Sequence, residues 1–193
     1  MPRVTQALII ANAAVFLLEM TGGANALIAQ FALWPLGDRF APWQIVTYAF
    51  LHGSLTHVLF NMFGVYMFGS DLERVWGSQR YLVFYTTSVI TAALVQLAFA
   101  ELTGAVYPTL GASGGVFGLL LAFALYFPHR RVMLLIPPIP MPAWVFATVY
   151  GVIELVLGVT GTASGVAHFA HLGGMLGGYL LIRHWRSGTR RRR

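Results

Sequence analysis

The chain is a succession of apolar runs broken by short polar or basic connections. The runs are Val4–Met20, Leu55–Gly69, Tyr81–Ala100, Leu110–Phe127, Ala143–Val159 and Val166–Ile182. Each approaches the roughly 20 residues needed to cross about 30 Å of hydrocarbon. Their apolar residues do not alternate, and six segments cannot close an outer-membrane barrel, so each run is predicted to be a helix. The first run resembles a secretory signal at Ala11-Asn12-Ala13, but it continues through Val15-Phe16-Leu17-Leu18. An uncleaved first helix is therefore expected. The connection from about Thr21 to Ser54 is long and carries Trp34, Pro35, Trp43, Tyr48 and Phe50 with little charge. Such a segment suits the membrane interface and is expected to pack against the bundle. The proline-rich stretch Pro137–Pro142 is expected to be a stiff connector.

Composition agrees with this pattern. Hydrophobic residues make up 58% and charged residues 9% of the 193, against about 25% charged in a soluble chain. The mean hydropathy is +0.72. There is no cysteine, which excludes a disulfide scaffold, a thiol nucleophile and a cysteine metal site. A net charge of +6 would point to nucleic acid in a soluble protein. Here it reports orientation. With six spans, every arginine except Arg39 falls on one side, which the positive-inside rule makes cytoplasmic. Both termini are then cytoplasmic. Residues 1–186 form one membrane domain, and residues 187–193 form a basic tail that fixes orientation and binds no nucleic acid. No internal repeat is evident, which counts against an inverted-repeat transporter.

Polar groups inside spans cost free energy unless paired or placed in a cavity. Three clusters lie at span openings that face the outer compartment: His52 to His57 continuing to Asn61, Gly111 to Gly115 around Ser113, and His168 to Gly174 around His171. Ser113 at a helix start is either a helix cap or a nucleophile presented at a glycine turn beside unpaired backbone N–H groups. His171, Gly174 and Gly178 fall within about 60° of one another on a helix face. That face can approach the small-residue stripe Gly111, Gly115, Gly118 and Ala122 of the fourth span. A regular helix at Ser113 would point the hydroxyl away from that stripe, so an irregular local turn is required.

His57 and Asn61 share one face of the second span. They either donate to a developing oxyanion or glue helices together. His52 belongs to the same pocket or to the interface, and His168 lies one turn nearer the surface than His171. A polar cavity lined by His52, His57, Asn61 and His168 would bring water to the serine. A metal is not expected, because no carboxylate or thiolate lies near these histidines in sequence. Glu154 shows no basic partner, and no acid is placed to orient His171, so a nucleophile–base pair here would be a dyad. No cofactor is expected.

These residues resemble the rhomboid family of intramembrane serine proteases. The resemblance covers about Trp43 to Gly178 and rests on three motifs in family order: Phe50 to Asn61, Gly111-Ala112-Ser113-Gly114, and Ala170-His171-Leu172-Gly173-Gly174. It implies an all-α, polytopic six-helix bundle of the minimal bacterial type, with a long interfacial outer loop between the first two helices. It also implies Ser113 as nucleophile, His171 as base, His57 and Asn61 as oxyanion donors, and Phe117 stacked on the base. Glu73-Arg74-Val75-Trp76-Gly77 is similar to the structural loop after the second helix. The substrates implied are transmembrane proteins cleaved near the outer face of a bacterial inner membrane, with lipids as surroundings. The oligomeric state is not implied. The adjacent Trp-Arg pair common in the family's outer loop is missing, and Arg39 is the candidate substitute. Two other functions fit the same architecture: an inactive rhomboid-like client binder, and a proton-coupled transporter using Glu154 and the histidines.

Overall fold

The computed structural model describes residues 1–133, 138–161 and 166–190, with backbone only for 188–190. Pro137 of the proline-rich connector and the terminal Arg191, Arg192 and Arg193 lie outside the described residues. The helices are α1 (Arg3–Leu18), α2 (Ala24–Phe31), α3 (Gln44–Thr47), α4 (Leu55–Gly64), α5 (Ser70–Trp76), α6 (Ser78–Thr103), α7 (Ser113–Tyr126), α8 (Ala143–Thr160) and α9 (His168–Arg190). A π-helical turn at Glu19–Gly23 joins α1 to α2, and another at Val65–Gly69 makes α4 and α5 one unbroken helical run. Among the described residues, three stretches are long and apolar enough to cross a membrane: Arg3–Phe31, Ser78–Thr103 and Ala143–Thr160. α7 is apolar but shorter, with 14 residues.

α7 is buried on most sides, and its neighbours are α4, α5, α6, α8 and α9. A helix apolar all round belongs in the middle of a bundle. α9 lies along both α6 and α7. Gly173 faces Val95 and Ala92 of α6, while Gly174 meets the backbone of Gly114 in α7. Such contacts between small residues let helix axes approach where burial in lipid supplies no driving force. The stripe expected on α7 is only partly the one used. Gly118 sits against Ser88 of α6 first and the Gly174 carbonyl of α9 second, and Gly115 faces the Tyr85 ring of α6. Gly114, outside the expected stripe, makes the closest approach to α9.

One carboxylate joins three helices at the end of the bundle opposite Ser113. Glu73, only 3% exposed, lies beyond the apolar run 55–69. It accepts from the Val4 and Thr5 backbone N–H groups at 2.9 and 2.8 Å, from the Thr5 hydroxyl at 2.8 Å and from the Ser78 hydroxyl at 2.6 Å. It therefore satisfies orphan donors at the start of α1, where a helix dipole favours negative charge. Burial pushes its pKa up, but these four donors outweigh that and hold the carboxyl below its ordinary value. A carboxyl depressed in the folded state stabilises the fold above its unfolded pKa and loses that contribution as pH falls through the folded one. Glu73→Gln should therefore lower stability by about 2 kcal/mol at pH 7. Thermal unfolding of both proteins at pH 7 and at about pH 3 checks this: the gap between them should narrow in acid.

The connection expected from about Thr21 to Ser54 is helical in its first part, where the π-turn runs into α2, and only Ala32 onward is a loop with short helical turns, of which α3 lies against α6. The buried Gln44 side chain donates to the carbonyls of Gln30 and Arg39 and accepts from the Trp34 N–H. Thr47 donates to the Phe31 carbonyl, and Leu33 exchanges backbone bonds with Thr109. Arg39 lies over the Trp34 ring, 4.8 Å from its centroid, so a tryptophan–arginine contact exists here between residues that are not adjacent. The Pro-rich connector contributes to a two-stranded ribbon, Arg131–Met133 paired antiparallel with Pro140–Pro142. This is a small β element beside the expected helices.

Candidate active site

The turn before α7 is irregular, as the helical phase of Ser113 requires. Gly111 has φ 122°, a conformation that disfavours a side chain. A Cβ there would also lie 2.8 Å from the His57 ring. The Gly111 N–H donates to the Tyr48 carbonyl at 2.9 Å, and the Tyr48 hydroxyl donates to the Val89 carbonyl at 2.8 Å. The turn is thus tied to α6 through Tyr48, a residue whose importance no local sequence motif signals. Ala112 occupies the N-cap position and Ser113 is the first residue of α7. The serine is accordingly not the cap of its helix. Its Oγ instead lies 2.8 Å from Nε2 of His171.

His171 is held on two sides. The Phe117 ring stacks on the imidazole with centroids 4.3 Å apart and planes within 5°. On α9, Gly174 follows His171 by one turn, so the contact of Gly174 with Gly114 sets how closely the imidazole approaches the serine. Both polar groups open into a cavity of about 840 Å³ lined also by His57, Asn61, Phe117, Phe146 and Tyr150. Asn61 is buried, and its Nδ2 donates to the His57 carbonyl at 3.1 Å. One N–H of the carboxamide remains for another acceptor. Ser54 caps α4, accepting from the His57 N–H at 3.1 Å.

The expected cavity lining needs correction at two positions. His52 and His168 do not line it. His52 is buried behind His57, ring edge to face at 5.0 Å, and its backbone N–H donates to the buried Glu19 carboxylate. Burial, and then the His57 ring, push the His52 pKa down to about 4, so it is uncharged at neutral pH. His168 is buried on the far side of His171, with the two rings 6.4 Å apart.

The larger correction concerns Glu154. The sequence reading placed no acid near His171 and no base near Glu154, yet the fold brings them together. Oε2 of Glu154 lies 2.6 Å from Nδ1 of His168 and 2.9 Å from Nδ1 of His171. The His168 contact is a regular hydrogen bond. The His171 contact is within reach but bent, since Nδ1 makes no bond of good geometry. A carboxylate does therefore stand among the histidines. Donor atoms of Glu154, His168 and His171 all lie within 4.8 Å of one another. Tetrahedral zinc with ligands at about 2.0 Å holds them roughly 3.3 Å apart. The 2.6 Å between Glu154 and His168 is that of a direct hydrogen bond, too close for two ligands sharing an ion.

Comparison with known proteins agrees with this architecture. A family model described as Rhomboid domain matches residues 39–186. Rhomboid protein 1, mitochondrial, of Saccharomyces cerevisiae is 33% identical over 146 residues, covering 71% of this chain and 40% of that protein. Rhomboid protease GluP of Bacillus subtilis is 29% identical over 177 residues, covering 85% of this chain and 31% of its own length. The putative rhomboid protease YdcA of the same organism is 30% identical over 141 residues, 72% of this chain and 65% of that protein. The chain thus spans between 31% and 65% of the length of these relatives.

Proposed function

The chain belongs to the rhomboid family, and on that premise we propose that it is an intramembrane serine endopeptidase that cuts transmembrane helices of other proteins. The observation that carries the reading is the 2.8 Å contact between Ser113 Oγ and His171 Nε2 beside a cavity of about 840 Å³. A serine hydroxyl becomes nucleophilic when an adjacent imidazole takes its proton. His171 is that base, and later returns the proton to the leaving amine. Phe117 keeps the ring in plane. The oxyanion that forms on the scissile carbonyl is stabilised by the N–H groups at the start of α7 together with His57 and Asn61.

The protein is an integral membrane protein. In the proposed topology the six apolar runs are its spans, residues 1–186 are one membrane domain, and residues 187–193 lie in the cytoplasm with the N-terminus. The connection between the first two spans lies in the outer interface, and the membrane is a bacterial inner membrane. α7 has 14 residues, about 21 Å of rise. That is less than the hydrocarbon thickness of about 30 Å, so Ser113 lies below the outer surface and water reaches it through the cavity.

The test is cleavage of a transmembrane reporter by the purified protein in liposomes. Release of a product cut within or beside the reporter's span is expected, and an uncut reporter rejects the proposal. Asn61→Ala should lower turnover by about 100- to 1000-fold while leaving the unfolding midpoint in place. If the midpoint collapses instead, the bond from Asn61 to the His57 carbonyl is structural glue and the oxyanion role is wrong.

A further inference from the structure

We infer that Glu154 is a positioning residue for His171, a carboxylate supplied by α8 that completes a Ser113–His171–Glu154 relay. The inference rests on the reading of Ser113 and His171 as nucleophile and base. Glu154 is only 8% exposed, whereas Val152, Ile153, Leu155 and Val156 around it on α8 are exposed along the helix. An ionisable group in such a helix is costly unless paired, and this one is turned inward onto two histidines.

The chemistry of the base explains what the carboxylate contributes. His171 accepts the serine proton only if Nε2 carries a lone pair, so the ring proton must sit on Nδ1. A carboxylate oxygen 2.9 Å from Nδ1 favours that tautomer. His168 holds the carboxylate in place through its own 2.6 Å bond to the same oxygen. When the Ser113 Oγ–carbonyl bond forms, the hydroxyl proton passes to Nε2 and leaves a cation with N–H on both nitrogens. The bent Nδ1 contact can then tighten, as catalytic hydrogen bonds do in loaded sites. Glu154 stays ionised throughout. The Nε2 proton goes to the departing amine as the C–N bond breaks; Nε2 then takes a proton from the water that attacks the acyl-serine and gives it back to Ser113 Oγ as the acyl–oxygen bond breaks.

The arrangement also links catalysis to the placement of α8. Glu154 reaches His171 from a different helix, and the cavity is bounded on that side by Phe146 and Tyr150 of the same helix. Any shift of α8 that opens the cavity sideways carries the carboxylate away from the imidazole.

The experiment compares wild type, Glu154→Gln, Glu154→Asp and Ser113→Ala in liposomes, reading kcat, KM, the rate of Ser113 labelling by a fluorophosphonate and the unfolding midpoint. Gln offers an amide donor where Nδ1–H needs an acceptor. We expect its kcat and labelling rate to fall by about 10²- to 10⁴-fold, with KM within about twofold and Asp at least tenfold better than Gln. A helix-packing role alone would move the midpoint and leave kcat of the folded fraction unchanged, and that result overturns the inference. The ¹⁵N spectrum of His171 in the wild type is the second measurement, and it needs no Glu154 variant to fold. Protonated Nδ1 with bare Nε2 is expected, and the opposite tautomer overturns the inference. If Ser113→Ala cleaves and labels like wild type, the reading of Ser113 and His171 as nucleophile and base fails instead, a result separate from the tautomer.

Discussion

Ser113→Ala should reduce cleavage of a transmembrane reporter by about 10⁴- to 10⁶-fold and abolish fluorophosphonate labelling, with the folded state retained. The size follows from the cooperativity of nucleophile and base, since removing either one costs nearly as much as removing both. His171→Ala should match it, and the double variant should be no worse than either. Ser113 loses only one hydroxyl whose partner is His171 Nε2, so its Ala variant is the cleaner of the two. His171→Ala also removes the ring stacked on Phe117 and one of the two histidines at Glu154, and its unfolding midpoint should fall. Residual cleavage would come from oxyanion donors and substrate binding alone. Turnover of Ser113→Ala within tenfold of wild type would show that the bond is cut elsewhere.

Gly174→Ala should be the most damaging methyl group among the described glycines. A Cβ at Gly174 would fall inside the van der Waals envelope of the Gly114 carbonyl oxygen, with the Gly114 Cα at 3.1 Å. These are backbone atoms, which cannot rotate aside. Overpacking of this kind costs about 1–3 kcal/mol, and more where nothing yields. The alternative is for α9 to move off α7, carrying His171 away from Ser113, and a misplacement of about 1 Å can cost 100-fold in rate. Loss of activity and a lower midpoint should therefore appear together. Gly151→Ala on α8 is the contrast. Its Cβ meets only the Met175 side chain, at 3.6 Å and beyond. Replacing glycine inside a helix then gains up to about 1 kcal/mol. Equal midpoints for the two variants would refute the close backbone contact at Gly174.

The parts of this protein that were legible in its sequence share one physical basis. Apolar runs long enough for hydrocarbon, and glycine–serine or histidine motifs at their ends, are properties of a single helix, and a single helix can be read locally. The irregular turn at Gly111 was deducible in the same way, because a regular helix would have aimed Ser113 elsewhere. What failed required knowing a neighbour. A helical wheel tells which residues share a face, not which helix that face meets. Gly115 therefore turned out to serve α6, and Gly114 to make room for Ala92 of α6 while its carbonyl meets Gly174 of α9. His52 and His168 shared the Ser113 end of the bundle with the cavity residues, but depth along the bundle does not distinguish lining from backing. Glu154 carried one usable signal, a lone acid in an apolar helix that must face inward to be tolerated.

From the sequence alone come the membrane setting, the family, the apolar runs and the residue types capable of acyl transfer. The tertiary structure alone decides that Ser113 and His171, 58 positions apart, touch, that Tyr48 anchors the turn at Gly111, and that Glu154 reaches both histidines from α8. Hydrophobicity and backbone preference act through near neighbours in the chain. A side-chain contact between helices depends on how their axes cross and how closely small residues let them approach, and both are settled only when all the helices pack at once.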